Sequence, residues 1–339
     1  MSGLPEIKKL QITRRTVQIA VVVLILAIPS VARYNNYLLS RELDKLEQKW
    51  QGSVQGVVIG ALDSFFRALP DGETQRGNRV TRNRKQIMVY TQVARGGPWS
   101  LELAGVSMTD PLAGAESIAA GKRAPWTLWL GLFIPLIVAV LLGRVFCSWV
   151  CPMNLLLEMT DKLRRLLSFL ELPPADLKFS RWIKYALLGV GLVLAAAISL
   201  PVLGFIYPPA VVGRELHEMV FAMFERAEQG KLGFWAGGLT LMSVFIAGVA
   251  LFEITVSRRW WCRYICPGGA LYCLLGWTRV VRVKRKAQRC TDCEICDEVC
   301  PWALRPMSDM MGHECDNCGL CISHCPEHAL DFSIARKKK

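Results

Sequence analysis

Twelve of the thirteen cysteines in this 339-residue chain fall into four spaced motifs, and thiol spacing selects between metal, disulfide and packing roles. Cys290-Thr-Asp-Cys293-Glu-Ile-Cys296-Asp-Glu-Val-Cys300-Pro301 and Cys315-Asp-Asn-Cys318-Gly-Leu-Cys321-Ile-Ser-His-Cys325-Pro326 both read CxxCxxCxxxCP. In this bacterial ferredoxin run three close thiolates grip one cubane, and the fourth, past a turn, ligates the other cluster. The spacing therefore predicts one [4Fe-4S] cluster on Cys290, Cys293, Cys296 and Cys325, and a second on Cys315, Cys318, Cys321 and Cys300. Zinc sites usually pair two CxxC units across a longer gap without a third cysteine at the same step. Disulfides are disfavoured on a cytoplasmic face.

The other two motifs, Cys147-Ser-Trp-Val-Cys151-Pro152 and Cys262-Arg-Tyr-Ile-Cys266-Pro267, stand 115 residues apart. Each follows an apolar stretch, precedes an amphipathic one and has a basic residue just before it (Arg144; Arg258 and Arg259), the pattern of a parallel internal duplication. On a continuous helix a CxxxC step puts both sulfurs on one face, one turn apart, and the proline then ends the helix. Four thiols gathered in this way would make a further metal centre or a redox-active dithiol pair; the alternative is small packing residues at helix ends. Cys273 has no partner by spacing and reads as core.

Glu253, near the inner end of an apolar stretch, is a candidate for a quinol site together with Cys147, Cys151, Cys262 and Cys266, because ionisable groups at membrane depth are costly. An interfacial ion pair with Arg258 and Arg259 is the competing reading. Lys184 occupies the equivalent edge of another stretch. His217, between Glu215 and Glu218, is either a proton acceptor for quinol or a satisfied loop histidine. No histidine lies in an apolar stretch to hold a b-type haem, there is no CxxCH, and neither a dinucleotide glycine fingerprint nor a phosphate loop occurs.

The elements that must carry these residues follow from composition. With 52% hydrophobic residues the chain is neither disordered nor fibrous. Four apolar stretches each approach the ~20 residues of a membrane helix. The expected fold is mainly α: a four-helix transmembrane bundle with a small extracytoplasmic α+β insert and a C-terminal bacterial-type 2[4Fe-4S] ferredoxin domain. The expected order is a cytoplasmic N-terminus (1–15), span one (16–32), an extracytoplasmic segment (33–124), span two (125–143) and a cytoplasmic loop with the first CxxxCP (144–184). Span three (185–207), an outer loop (208–231), span four (232–256), a cytoplasmic CxxxCP and basic linker (257–285) and the ferredoxin domain (286–339) complete it.

Lys and Arg concentrate before the first span, between spans two and three, and after span four, which puts both termini and the ferredoxin domain on the cytoplasmic side of a bacterial inner membrane. Thr13-Arg14-Arg15 invites a twin-arginine signal, but the three later spans favour an uncleaved anchor. In the insert, apolar residues from Leu43 to Leu69 recur at helical spacing, and Gln86 to Val93 and Trp99 to Val106 read as short strands. The basic run Val280 to Arg289 lies just inside a span and lacks interleaved aromatics. Together with the Lys337 to Lys339 tail it suits anionic lipids rather than nucleic acid.

The run Met108-Thr-Asp-Pro-Leu-Ala-Gly, then Arg144-Val-Phe-Cys147-Ser-Trp-Val-Cys151-Pro-Met-Asn, Trp261-Cys262-Arg-Tyr-Ile-Cys266-Pro-Gly-Gly-Ala-Leu-Tyr272 and the two ferredoxin runs resemble the NapH/MauN family of ferredoxin-type membrane proteins. The resemblance implies a quinol-dehydrogenase subunit that draws on the membrane quinone pool. It would feed a periplasmic respiratory reductase in anaerobic respiration through a partner ferredoxin-like or cytochrome subunit. The related NosR-type proteins share these cysteine patterns and serve nitrous oxide reduction, but carry a flavin-binding outer domain with no counterpart here. Residues 33–105 form a longer outer segment than the family pattern. Two competing readings are an assembly or maturation factor supplying electrons for metal-site formation in a reductase, and a membrane anchor of a redox complex.

Overall fold

The computed structural model describes residues 3–76, 79–97, 100–103, 105–121, 126–171, 175–230 and 240–334. The start of the expected fourth span and the Lys337 to Lys339 tail lie outside the described residues. The helices are α1 (Gly3–Ser40), α2 (Leu43–Lys49), α3 (Val54–Ala68), α4 (Arg84–Thr91), α5 (Pro111–Ala119), α6 (Trp126–Leu142) and α7 (Val145–Trp149). They continue with α8 (Pro152–Phe169), α9 (Trp182–Ile198), α10 (Pro208–Glu228), α11 (Leu241–Thr255), α12 (Pro267–Leu275), α13 (Ile295–Val299) and α14 (Leu320–Ser323). The strands are β1 (Glu73–Arg76), β2 (Arg79–Arg82), β3 (Ala94–Gly97), β4 (Ser100–Leu103), β5 (Val106–Thr109), β6 (Val281–Arg285) and β7 (Leu330–Ile334). Two compact units result: residues 1–21, 109–211 and 245–339 form one, and residues 22–108 and 212–244 the other.

Among the described residues one helix, the Lys9–Ser40 part of α1, is by itself long and apolar enough to cross a membrane. The other apolar helices, α6, α9 and α11, have 17, 17 and 15 residues. At ~1.5 Å per residue these are about 22–26 Å long.

The unit around residues 22–108 has an aromatic core of Tyr34, Trp50, Phe66 and Phe224 with Ile59 and Ile87. Trp50 donates its indole N–H to the Ala227 carbonyl at 3.2 Å. The helical run from Leu43 breaks after Lys49 because Gly52 takes a left-handed φ of 77° and Ser53 caps a new helix by accepting from the Gly56 amide. The expected strand at Gln86 to Val93 is instead helix α4. Asn83 caps it, and Ile87 and Thr91, four residues apart, are its buried positions, so a helical period overrides the β-branched composition. The expected strand at Trp99 to Val106 is instead two, β4 and β5, in a sheet of order β3-β4-β5.

In the other unit α9 packs against α5 and α12, which also pack on one another. The segments 33–124 and 257–285, assigned above to opposite sides, thus each send a short helix to the same place beside α9. Close approach requires glycine there: a Cβ on Gly268 would lie 2.1 Å from Cε2 of Tyr207. The C-terminal part is closed by β6 and β7, paired antiparallel from Val281↔Ile334 to Arg285↔Leu330, so both cysteine runs lie between two paired strands.

Candidate iron-sulfur centres

The two ferredoxin runs fold as copies. Asp292 and Asn317 have φ of 52° and 54°, Ala303 and His328 45° and 49°, and Glu294 and Gly319, which precede α13 and α14, 60° and 72°. Each pair is 25 residues apart, as are Cys290 and Cys315. Left-handed residues curl the chain so that successive N–H groups face a common point, the geometry of an anion-binding nest.

Cys290, Cys293, Cys296 and Cys325 line one cleft, walled by Ile295, Met307, Ala329 and Leu330. The Ala329 amide donates to Sγ of Cys325 at 3.3 Å. Among the described residues no three His, Cys, Asp or Glu side chains close on one point as ligands of a single ion do. Here the sulfurs are distributed around a cavity. Cys300, Cys315, Cys318 and Cys321 are all buried in the adjoining core. Cys321 is in electrostatic reach of Cys300, Cys315 and Cys296. Burial pushes the thiols of Cys296 and Cys315 up to about 11. The polypeptide alone therefore holds them protonated, and the positive charge of iron supplies what thiolates require there. Donor chemistry, apolar walls and N–H groups aimed at sulfur fit [4Fe-4S] clusters on both sets.

The two CxxxCP motifs also take one shape. Cys151 and Cys266 are both helix N-caps in extended conformation, with ψ of 119° and 113°. The helix does not continue through the motif: Pro152 and Pro267 start α8 and α12 instead of ending a helix, since a proline at the first helical position forfeits no hydrogen bond. The four thiols are nonetheless brought together. Cys147 is in electrostatic reach of Cys266, and Cys151 of both of these. Cys262 is in reach of Cys151 and Cys266. Burial raises all four, Cys147 to about 12 and Cys266 to about 11. The Gly269 amide donates to Sγ of Cys266 at 3.2 Å.

Arg144 fills the space between this group and the second ferredoxin set. It is 1% exposed, ion-paired to Glu314 at 2.9 Å and stacked on Trp302 at 4.1 Å, while its Nε and Nη2 have no hydrogen-bond acceptor. A Cβ on Gly269, beside Cys266, would lie 3.1 Å from that Nη2. Three further contacts tie the two sets. Ser148 Oγ donates to the Asp316 carbonyl at 2.9 Å, Arg263 Nη2 to the Pro301 carbonyl at 3.0 Å, and Arg279 donates to the Cys315 carbonyl.

Glu253 is 1% exposed and accepts from the amides of Trp260 and Trp261 at 3.0 and 2.8 Å. Arg258 and Arg259 pair with Asp161 instead, each at 3.0 Å, because the carboxylate of α8 faces both. Glu253 thus shapes the turn leading into Cys262. Lys184 is fully buried on Glu314, and its Nζ lies 3.7 Å from Sγ of Cys273. His217 stacks on Phe221 at 4.5 Å in the other unit, and burial lowers its pKa.

Spacing did not single out Asp110, Tyr207 and Tyr272. Asp110 caps α5 and accepts from the Tyr207 and Tyr272 hydroxyls at 2.8 and 3.0 Å. Both rings are in electrostatic reach of the CxxxCP thiols. An Asp directly before a Pro, a helix-start signal, was the available clue.

A family model described as "4Fe-4S binding domain" matches residues 124–169 and again 238–287. Each stretch holds one CxxxCP motif, as an internal duplication leaves. The chain is 32% identical over 262 residues to the ferredoxin-type protein NapH of Escherichia coli (strain K12), covering 70% of this chain and 83% of that protein. The NapH of Haemophilus influenzae (strain ATCC 51907 / DSM 11121 / KW20 / Rd) is 32% identical, over 69% and 78%. The methylamine utilization ferredoxin-type protein MauN of Methylobacillus flagellatus (strain ATCC 51484 / DSM 6875 / VKM B-1610 / KT) is 30% identical, over 60% and 64%. No solved structure matches. Fold, sulfur sets and relatives together define an iron-sulfur electron-transfer protein with a ferredoxin-type 4Fe-4S domain. Within that class, the chain belongs to the NapH/MauN family of ferredoxin-type proteins.

Proposed function

We propose that the chain is a multi-pass subunit of the bacterial inner membrane that oxidises quinol at the CxxxCP thiols and passes electrons through two [4Fe-4S] clusters to a partner iron-sulfur or cytochrome subunit serving a periplasmic reductase. The observation that carries it is continuity: three sulfur sets abut in one series, Cys147/Cys151/Cys262/Cys266, then Cys300/Cys315/Cys318/Cys321, then Cys290/Cys293/Cys296/Cys325. Outward-facing Phe133, Val193 and Leu251 on α6, α9 and α11 support helices that meet lipid. The orphaned Nε and Nη2 of Arg144, beside two buried and two half-buried thiols, are donors that the sulfurs of a further metal centre there would satisfy. When bound, the clusters supply one-electron carriers. The chain's own residues hold them, exclude water and place N–H groups and cations at the sulfurs.

Oxidation of one quinol to quinone would deliver two electrons, one to each [4Fe-4S] cluster when bound, and two protons to the solvent. The test is anaerobic mixing of reconstituted holoprotein with a reduced menaquinone analogue. Bleaching of the clusters' visible absorbance is expected. Cys147→Ser and Cys262→Ser should abolish quinol-driven bleaching while dithionite still bleaches the ferredoxin clusters, and iron and sulfide counts should fall relative to wild type. Absence of bleaching by quinol in a protein that dithionite reduces would refute the proposal.

A further inference from the structure

We infer that a cationic cleft bounded by α1, α8 and the ferredoxin loops binds the phosphate headgroup of an anionic phospholipid. The cleft, of about 470 Å³, presents seven Lys and Arg side chains against three carboxylates. Two of those carboxylates are already engaged. Glu158 pairs with Arg14 at 3.2 Å and with Arg15, and Asp161 pairs with Arg258 and Arg259. Arg258 and Arg259 hold the Asp161 carboxyl below the usual range despite its burial, so that pairing persists at neutral pH. Lys162 and Arg165, both exposed on the cleft, have no carboxylate partner among the described residues. Arg14 is 3% exposed, yet its Nε has no acceptor. A buried guanidinium with an unmet donor beside two unpaired cations is a site built for an oxyanion.

The source of that oxyanion follows from the other side of α8. Met159, Leu163, Leu166 and Leu170 recur at steps of four and three residues and are all exposed, with Phe169 82% exposed beside them. An apolar stripe flanked by Lys162 and Arg165 is the pattern of a helix lying in the membrane interface, its apolar side among the acyl chains. That places the cleft at headgroup depth, where anionic lipids attract such cations. The inference rests on the reading that the apolar helices lie in a bilayer.

The experiment uses detergent-extracted holoprotein and native mass spectrometry with phosphatidylglycerol, phosphatidylcholine and inorganic phosphate as probes. Phosphatidylglycerol should be retained at least tenfold over phosphatidylcholine. Lys162→Gln with Arg165→Gln should weaken phosphatidylglycerol roughly 30-fold and leave phosphatidylcholine and the cluster absorbance unchanged. Equal retention of the two lipids, or undiminished phosphatidylglycerol in the variant, overturns the inference. Displacement of the lipid by equimolar inorganic phosphate assigns the site to free phosphate and also overturns it. Flotation with neutral phosphatidylcholine vesicles separates the two readings. Failure to float defeats the membrane reading itself, whereas a floating protein without phosphatidylglycerol preference defeats only the headgroup site.

Discussion

Replacing Glu314 by Gln removes the one carboxylate shared by two buried cations. Arg144 lies 2.9 Å and Lys184 2.5 Å from its Oε2, and both cations are at most 1% exposed. Despite the opposing cost of burial, these cations hold the Glu314 carboxyl at about 2, well below its ordinary 4.5. A folded-state value below the unfolded one contributes stability that is fully present above about 4.5 and lost as pH falls toward 2. The shift corresponds to about 3 kcal/mol at neutral pH. Breaking a buried pair by removing one partner gives a similar ~3–5 kcal/mol.

In a unit of this size that is a fall in Tm of roughly 6–12 °C. The assay is anaerobic thermal unfolding of the detergent-solubilised holoprotein, followed by loss of cluster absorbance. The deficit of Glu314→Gln should be constant from pH 8 to about 5 and shrink by roughly 1 kcal/mol by pH 4. Adding Lys184→Met should recover part of it, since one stranded charge goes. A deficit under ~2 °C at pH 7, or one that widens in acid, would refute the account of this network.

Two other outcomes are expected. Gly268→Ala puts a methyl 2.1 Å from Tyr207 and should cost about 1–3 kcal/mol by forcing that ring off Asp110, read as a lower Tm with reduced iron retention. Arg82→Met removes one of the two cations paired with Asp63, which is 3% exposed and keeps Arg67 at 3.6 Å and the Tyr34 hydroxyl at 3.0 Å, together with contacts to Asp44 and Glu47; the unit around residues 22–108 should lose about 2 kcal/mol and be cleaved faster by protease, with cluster absorbance unchanged.

Cysteine spacing carried most of what was legible in advance, because a cluster needs its ligands at fixed steps and a fixed step is visible in a single chain. Pairing Cys325 with the first run and Cys300 with the second is likewise an argument from spacing. The Arg144, Lys184 and Glu314 group was not legible: Glu314 lies 170 residues from Arg144 and 130 from Lys184, and nothing local marks it as the carboxylate that will meet two cations. Arg258 and Arg259 were near Glu253 in sequence, yet Asp161 on α8 claimed both, a long-range competition that proximity along the chain does not reveal. At Gln86 to Val93 the misreading was local: composition favoured a strand, while the Asn83 cap and the positions of Ile87 and Thr91 made a helix.

Asp110 is synthesised 97 residues before Tyr207 and 162 before Tyr272, its two hydroxyl partners. Its Oδ1 also accepts from the Leu112 amide at 2.8 Å, so one carboxylate fastens a local helix start to two distant stretches of chain. A polypeptide ending before Tyr272 would keep the local tie and the Tyr207 tie and lose the third.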